Sequence, residues 1–179
     1  TSHRYATAPL KQCFKLLIEN AIEQPQVSTH RDFHSRNIMV RDGGALAIID
    51  FQDTVIGPLT YDLASLLKDC YFKLPTSVRG ELLEQAFKQL CANGTLDVEF
   101  SHFTKWFDLM ALQRHLKVCG IFSRLSLRDN KHHYLDDLPL VIEYIIETCR
   151  RYPELKPLLT LFEQDILPAL DQQDFSCAQ

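Results

Sequence analysis

Apolar residues recur at intervals of three and four along most of the chain, a spacing typical of amphipathic helices. The pattern predicts six helices, at residues 10–23, 61–72, 77–91, 99–118, 138–152 and 154–166. Residues 120–127 continue the apolar pattern after the fourth helix, and a charged loop is expected at 128–133. The polar tail from Asp171 should be frayed.

A different pattern occupies residues 38–49. A short β-branched run at 38–40 and a second apolar run at 45–49 flank two adjacent glycines, Gly43 and Gly44, which can adopt the positive φ of a turn. The chain should therefore form one β-hairpin here. Because the entry of one antiparallel strand lies beside the exit of the next, Asn37 and Asp50 should lie at the same end of it.

The segment after the hairpin contains Gly57-Pro58 and is expected to be a loop, with Thr60 as the N-cap of the next helix. Together these elements predict a mainly α-helical fold with a small β-hairpin. With 179 residues, 46% of them hydrophobic, the chain can bury one sizeable core, so a single domain over residues 1–179 is expected.

Charge and composition narrow the function further. The net charge of −4 argues against nucleic acid or an anionic membrane as a partner, because both favour a basic surface. No apolar run reaches roughly 18 residues and no signal peptide is recognisable, so we expect a cytoplasmic protein. The six cysteines are scattered without a CxxC pair and are expected to be reduced.

The recognisable chemistry lies in the stretch HRDFHSRN at residues 30–37 and in the acid that follows the second strand, Asp50. Phosphoryl transfer from ATP requires magnesium at the phosphates and a carboxylate that takes the proton of the acceptor hydroxyl. Oxygen ligands suit magnesium. We therefore interpret Asp32 as the catalytic base and Asn37 and Asp50 as the magnesium ligands.

The HRD triplet with an asparagine five residues after Asp32 resembles the catalytic loop of the protein-kinase-like superfamily, and DFQD from Asp50 stands where those kinases carry their magnesium aspartate. HRDFHSRN followed by IIDFQDTVIGPLTYDLASL is more specifically similar to the aminoglycoside phosphotransferase and choline kinase family. Within it, GPLTYDLASLLKDCY and LQRHLKVCGIFSRLSLRD resemble the sugar kinases that act on the anomeric hydroxyl of N-acetylmuramate and N-acetylglucosamine. This resemblance covers about residues 30–157.

The resemblance implies the same roles for Asp32, Asn37 and Asp50, with ATP as co-substrate, Mg²⁺ as cofactor and a sugar or amino sugar hydroxyl as acceptor. It also implies that Asp62 braces the catalytic loop and that His30 shapes it. The catalytic and metal loops would span 30–53 and a helical substrate region about 60–167. Family members also carry an N-terminal lobe of strands with a lysine that reaches the ATP phosphates.

Residues 1–29 contain a helix pattern and no glycine-rich loop or strand lysine. We therefore expect the C-terminal lobe of a protein-kinase-like (α+β) fold with the N-terminal ATP lobe absent. The missing lobe would be a partner in the complete enzyme, and the 179 residues alone should be inactive.

Four further residues are candidate substrate contacts. His34 and Asp53 are close to the site in sequence, whereas Arg124 and Arg128 could bind an acidic sugar substituent because a guanidinium fork suits a carboxylate. Helix-end or surface cations are the alternative interpretation of the two arginines.

Two other functions stay open. His30, Asp32, His34 and Asp50 could instead ligate zinc or manganese in a metallohydrolase. A pseudokinase-like binding module is the third possibility, although such a module has no chemical use for the intact Asp32, Asn37 and Asp50.

Overall fold

A computed structural model of the protein describes residues 8–130 and 132–173. Its helices and strands follow in the order α1 (Ala8–Glu23), β1 (Gln26–Thr29), β2 (Ile38–Val40), β3 (Leu46–Ile48), β4 (Val55–Pro58), α2 (Tyr61–Leu67), α3 (Thr76–Ala92), α4 (Phe100–Asp129), α5 (Leu138–Arg151), α6 (Lys156–Leu161) and α7 (Leu167–Gln173). The prediction of a mainly helical fold is confirmed. No helix in these two ranges is both long and apolar enough to cross a membrane.

The β-hairpin is confirmed as well. β2 pairs antiparallel with β3, with Ile38 opposite Ile48 and Val40 opposite Leu46. Gly43 and Gly44 have φ values of +82° and +83°, a conformation open to glycine because it has no Cβ.

The expectation of a loop around Gly57-Pro58 is wrong, because these residues belong to β4, which pairs with β1 in a second antiparallel sheet. Gly57, expected in a loop, lies opposite Val27, and a Cβ on it would stand 2.9 Å from the hydroxyl oxygen of Thr29. A glycine is therefore needed for the two strands to approach. Pro58 is tolerated because it closes a strand with only one neighbour, where its missing N–H is no loss.

Helix α2 begins after Thr60, as expected, but the Thr60 hydroxyl does not cap it. Instead the hydroxyl and the backbone N–H of Thr60 both donate to Oε1 of Gln24, at 2.8 and 3.0 Å. α2 also ends at Leu67 rather than at residue 72. Gln24 thus extends the β1–β4 pairing and sets where α2 starts.

Three other helix boundaries differ from the sequence pattern. α3 begins at Thr76 with Pro75 at its N-cap. α4 is one 30-residue helix that runs past the expected end at 118 and includes Arg128, until Asn130 adopts a left-handed conformation. The last predicted helix is a succession of a 3₁₀ turn (Pro153–Leu155), α6, a π-helical segment (Phe162–Ile166) and α7, which continues to Gln173; the remaining tail, 174–179, is outside the described residues.

Two apolar clusters share α4. The first joins the C-terminal half of α4 to α1, α5 and α6, and the second joins its N-terminal half to α2 and α3. Phe107, Leu109 and Leu112 point in different directions around α4 and all are 2% exposed or less. The middle of α4 is therefore buried on several sides and gives little amphipathic signal. The expected end at 118 lies just before Gly120, a residue that weakens a helix pattern.

A buried ionic network ties α2 to α4 and α5. Nζ of Lys68 lies 3.2 Å from Oδ1 of Asp108 and 3.3 Å from the hydroxyl of Thr148. The second oxygen of Asp108 accepts hydrogen bonds from Arg151 and the Tyr152 hydroxyl, at 2.7 and 2.9 Å. Burial, reinforced by the Asp108 carboxylate, raises the pKa of Tyr152 well above its usual range, so the phenol remains a donor.

Removing Asp108 should therefore be costly. We expect Asp108→Ala to lower the free energy of unfolding by about 3–5 kcal/mol, because it removes the nearer and more deeply buried of the two carboxylates beside Lys68, the other being Glu147 at 3.7 Å, and also the acceptor of Arg151 and Tyr152. Glu19→Ala, which breaks the exposed Lys15–Glu19 pair, is the control and should cost about 0.5 kcal/mol or less. Urea denaturation measures both. A loss for Asp108→Ala as small as that of the control, about 0.5 kcal/mol, would contradict the prediction.

Candidate active site

The loop at residues 30–37 is held from α2 by Asp62. Oδ2 of Asp62 accepts the backbone N–H of His30 at 2.7 Å, and Oδ1 accepts that of Arg31 at 3.0 Å. Arg31 has φ of +76°, which costs roughly 1–2 kcal/mol for a residue with a Cβ. Hydrogen bonds to a carboxylate are strong enough to offset this strain. The two contacts of Asp62 are therefore consistent with the predicted role of holding the loop in place.

A second acid, Asp69, holds the other end of the loop. Its carboxylate accepts the backbone N–H groups of Ser35 and Tyr71, both at 2.8 Å, and Asp69 is 2% exposed. Sequence reasoning missed this residue. An acid just past the C-terminal end of a helix needs a tertiary partner, because the helix dipole disfavours negative charge there. The helix predicted from the sequence runs to residue 72 and includes Asp69, so this signal appears only once α2 is seen to end at Leu67.

Asn37 lies between Asp32 and Asp50. Its side-chain Nδ2 donates to the backbone carbonyl of Asp32 at 2.9 Å, and its own backbone carbonyl accepts the N–H of Ile49 at 3.1 Å. The first contact fixes the amide so that Oδ1 is left as an acceptor, and the second brings Asp50 next to Asn37.

Asn37 and Asp50 both offer oxygen atoms of the kind that magnesium binds. Asp50 is exposed with φ of +65°, and one oxygen of its carboxylate accepts a hydrogen bond from Gln52, which leaves the other open. An amide oxygen and a carboxylate match the hard oxygen ligands of magnesium, which keeps several waters and binds through one or two protein groups.

His30 links the loop to β3. Its Nε2 lies 3.0 Å from the carbonyl of Ile49, so Nε2 carries the proton, and Nδ1 is buried without a partner. Nε2 is therefore occupied by a carbonyl of the protein. No three His, Cys, Asp or Glu side chains among the described residues come together as a metal site, so the four-ligand arrangement of a metallohydrolase is not formed.

A cavity of about 160 Å³ opens beside Asp32. Its polar lining comes from Asp32 and His34 of the loop, Tyr61 of α2, Tyr71, and Arg114 and Lys117 of α4. Cys70, Val118, Ile121 and Phe122 form its apolar part. The cavity thus combines the predicted base with a cationic side and an apolar wall.

Burial is the main cause of the shifted pKa values of three groups that line this cavity. Burial lowers the pKa of His34 below its usual value, opposed by the carboxylates of Asp69 and Asp32, so the imidazole is neutral at neutral pH. Burial also raises the pKa of Cys70 to about 11 and that of Tyr71 to about 12. Both groups therefore stay protonated, and the Cys70 thiol is not a nucleophile.

Of the four candidate substrate contacts from the sequence, His34 lines the cavity and the other three do not. His34 lines the cavity and packs edge-on against Tyr71, with ring centroids 5.3 Å apart. Asp53 is exposed in the turn before β4, Arg124 is exposed on α4, and Arg128 pairs with Asp129 at 2.9 Å. None of these three lines the cavity.

Sequence reasoning missed the cations that do line it. Arg114 and Lys117 lie one turn apart on α4, inside the stretch LQRHLKVCG. The sequence carries no local signal for this position, because it does not show which parts of α4 are buried against α2.

Comparisons with known proteins find relatives that share one printed name. A protein of Neisseria meningitidis serogroup B named N-acetylmuramate/N-acetylglucosamine kinase is 40% identical over 152 residues, which are 84% of this chain and 45% of that protein. A protein of the same name from Pseudomonas putida is 43% identical over 145 residues, 80% of this chain and 42% of that protein. The chain therefore spans less than half the length of these curated relatives.

The family comparison matches the region that contains the loop, both sheets and α2. Residues 4–97, just over half of the chain, match the family described as the phosphotransferase enzyme family. The catalytic-loop motif, the hairpin and the residues beside Asp32 all lie within or against this region. The chain belongs to the phosphotransferase enzyme family.

Proposed function

We propose that this chain is the catalytic part of an ATP-dependent kinase that transfers the γ-phosphoryl group of ATP to a hydroxyl of a small molecule. The observation that carries the proposal is the joining of Asp32, Asn37 and Asp50 by backbone contacts, with Asp32 facing a cavity. A base beside two magnesium ligands is the arrangement that phosphoryl transfer needs.

Each residue has a defined task in this proposal. Asp32 accepts the proton of the acceptor hydroxyl and orients its oxygen toward the phosphorus. Asn37 and Asp50 hold Mg²⁺, which neutralises charge on the phosphate oxygens when it is bound. His34 is neutral and half-buried beside Asp32, so it can donate a hydrogen bond to the acceptor without adding charge.

The proposed acceptor is an N-acetyl amino sugar, phosphorylated at its anomeric hydroxyl. The names of the relatives support this class, and the mixed polar and apolar lining of the cavity suits a monosaccharide with both hydroxyl and apolar faces. Choline and aminoglycosides are less suitable, since both are cations and Arg114 and Lys117 would repel them.

The proposed partner of this chain is a nucleotide-binding lobe. Support comes from exposed apolar residues on the hairpin and just after Asp50. Val40 (73% exposed) and Leu46 (69%) are paired at the turn end of the hairpin, and Phe51 (67%) follows Asp50. Large exposed apolar residues grouped in this way are typical of a surface that another part of the protein covers.

The first prediction concerns the base. In the product of the complete reading frame, Asp32→Asn should lower kcat for N-acetylglucosamine phosphorylation by about 10²- to 10⁴-fold, because the amide cannot accept the proton. A coupled assay of ADP release, with and without magnesium, measures it. Asp97→Asn, in the exposed loop before α4, is the control. Full turnover by Asp32→Asn would refute the proposed base.

The second prediction concerns the brace. Asp62→Ala should lower kcat at least about tenfold with a smaller change in KM, since two N–H groups of the loop lose a charged acceptor worth about 1.5–3 kcal/mol each. Faster amide exchange at His30 and Arg31, measured by NMR, should accompany the loss. Asp97→Ala is the matched control. Unchanged exchange at these two amides would show that Asp62 does not hold the loop.

The third prediction concerns the proposed lobe. The 179 residues alone should fold, as judged by circular dichroism, yet show negligible magnesium-dependent ATP consumption with either N-acetyl sugar, because few groups in them would hold the adenine and phosphates. The product of the complete reading frame should be active in the same assay. Sustained, acceptor-dependent turnover by the 179 residues would contradict the need for a further lobe.

A further inference from the structure

Arg114 is a buried cation without an acidic partner. It is 8% exposed, its Nε is buried without a hydrogen-bond partner, and its guanidinium makes no ion pair with a carboxylate in the described part of the chain. The other buried cations differ, since Lys68 pairs with Asp108 and Arg79 with Glu147. An unpaired buried charge is unfavourable, so it is retained where a ligand completes it.

An aromatic ring and a second cation lie next to Arg114 in the cavity. Its guanidinium carbon lies 5.2 Å from the centre of the Tyr61 ring, a cation–π contact that steadies the side chain but satisfies none of its N–H donors. Nζ of Lys117 is 3.4 Å from the Tyr61 hydroxyl and adds a second positive charge at the exposed rim. Both cations and Asp32 line the same cavity.

Arg114 and Lys117 indicate which chemical group of a ligand this part of the cavity would bind. A guanidinium presents a planar fork of donors that matches the two oxygens of a carboxylate. A phosphate also fits such a fork, but Asn37 and Asp50, which would hold the phosphates through magnesium, do not line this cavity. The acceptor side of the site is therefore the source of the anionic group.

We propose that Arg114 is a specificity-determining residue that binds a carboxylate of the acceptor and thereby holds the acceptor hydroxyl at Asp32. This inference rests on the proposed kinase function and extends it from the class of acceptor to a preference for acidic acceptors. Lys117 contributes charge at the rim of the cavity.

Two sugars that differ in a carboxylate test the proposal. N-acetylmuramate carries a lactyl carboxylate, and N-acetylglucosamine has a hydroxyl in its place. In the product of the complete reading frame, Arg114→Gln should lower kcat/KM for N-acetylmuramate by about 10- to 100-fold, mainly through KM, because a charge-assisted hydrogen bond is lost. For N-acetylglucosamine the change should stay within about threefold. Arg114→Lys, which keeps the charge and loses the fork, should fall between.

Two control variants isolate the effect of Arg114 from that of other surface arginines. Arg150→Gln, which breaks an exposed pair with Glu163, should leave both sugars unaffected. Arg124→Gln tests the sequence-based alternative for the same carboxylate and should also leave the preference unchanged. An equal loss for both sugars with Arg114→Gln, a rise in the KM for ATP instead, or a selective loss with Arg124→Gln would overturn the proposal.

Binding measurements test the carboxylate site independently of the proposed kinase function. Isothermal titration calorimetry with N-acetylmuramate and N-acetylglucosamine requires no turnover. Tighter binding of N-acetylmuramate by the wild type, lost in Arg114→Gln, supports the carboxylate site even if neither sugar is phosphorylated, in which case only the proposed function fails. Equal binding of the two sugars, or no binding of N-acetylmuramate, overturns it.

Thermal unfolding supplies one more readout. An arginine needed for packing would lower the melting temperature when it is replaced. An unpaired cation retained for binding should leave the melting temperature of Arg114→Gln equal to or above that of the wild type. A clear fall in the melting temperature with no loss of sugar preference would assign Arg114 a structural role and overturn the proposal.

Discussion

Two carboxylates determine the shape of the site, because Asp62 and Asp69 together hold four backbone N–H groups in and beside the loop at 30–37. A loop of this length has few backbone partners of its own. Its first residues are strained, with Arg31 at positive φ, and its last form a 3₁₀ turn. Without the two acids the N–H groups would lack acceptors in a partly buried region, so the position of Asp32 follows from the position of α2.

The position of α2 is in turn fixed at both ends. Before its first turn, β4 pairs with β1, the strand that leads directly into the loop. After its last turn, Lys68 is bound to Asp108, and the buried His115 donates to the Lys68 carbonyl at 2.9 Å. Burial lowers the pKa of His115 to about 3, so this histidine is a permanent neutral donor. The ionic network in the helical core thus fixes α2 and, through Asp62 on α2, the loop at residues 30–37.

The parts predicted from the sequence are those whose signal is local. The hairpin follows from two short apolar runs around Gly43 and Gly44, and the proposed roles of Asp32, Asn37 and Asp50 follow from a compact motif with fixed offsets. The β1–β4 pair was missed because Gly57-Pro58 is typical of a turn when the strand that pairs with it, about 30 residues earlier, is unknown. Arg114 was missed for a similar reason. Its proposed role rests on the absence of an acidic partner among the described residues. This absence becomes visible only when the packing of α2 against α4 is known.

In the proposed function, the distribution of charge in the cavity allows one site to accommodate both a base and an acidic acceptor. Asp32 alone would repel an anion, and its field would oppose binding of the substrate that it deprotonates. Arg114 and Lys117 provide the compensating charge from a different helix, and the neutral His34 adds none. Because the cations come from α4 and the base from a loop held by α2, the selectivity for the acceptor can change through α4 while the machinery of phosphoryl transfer stays as it is.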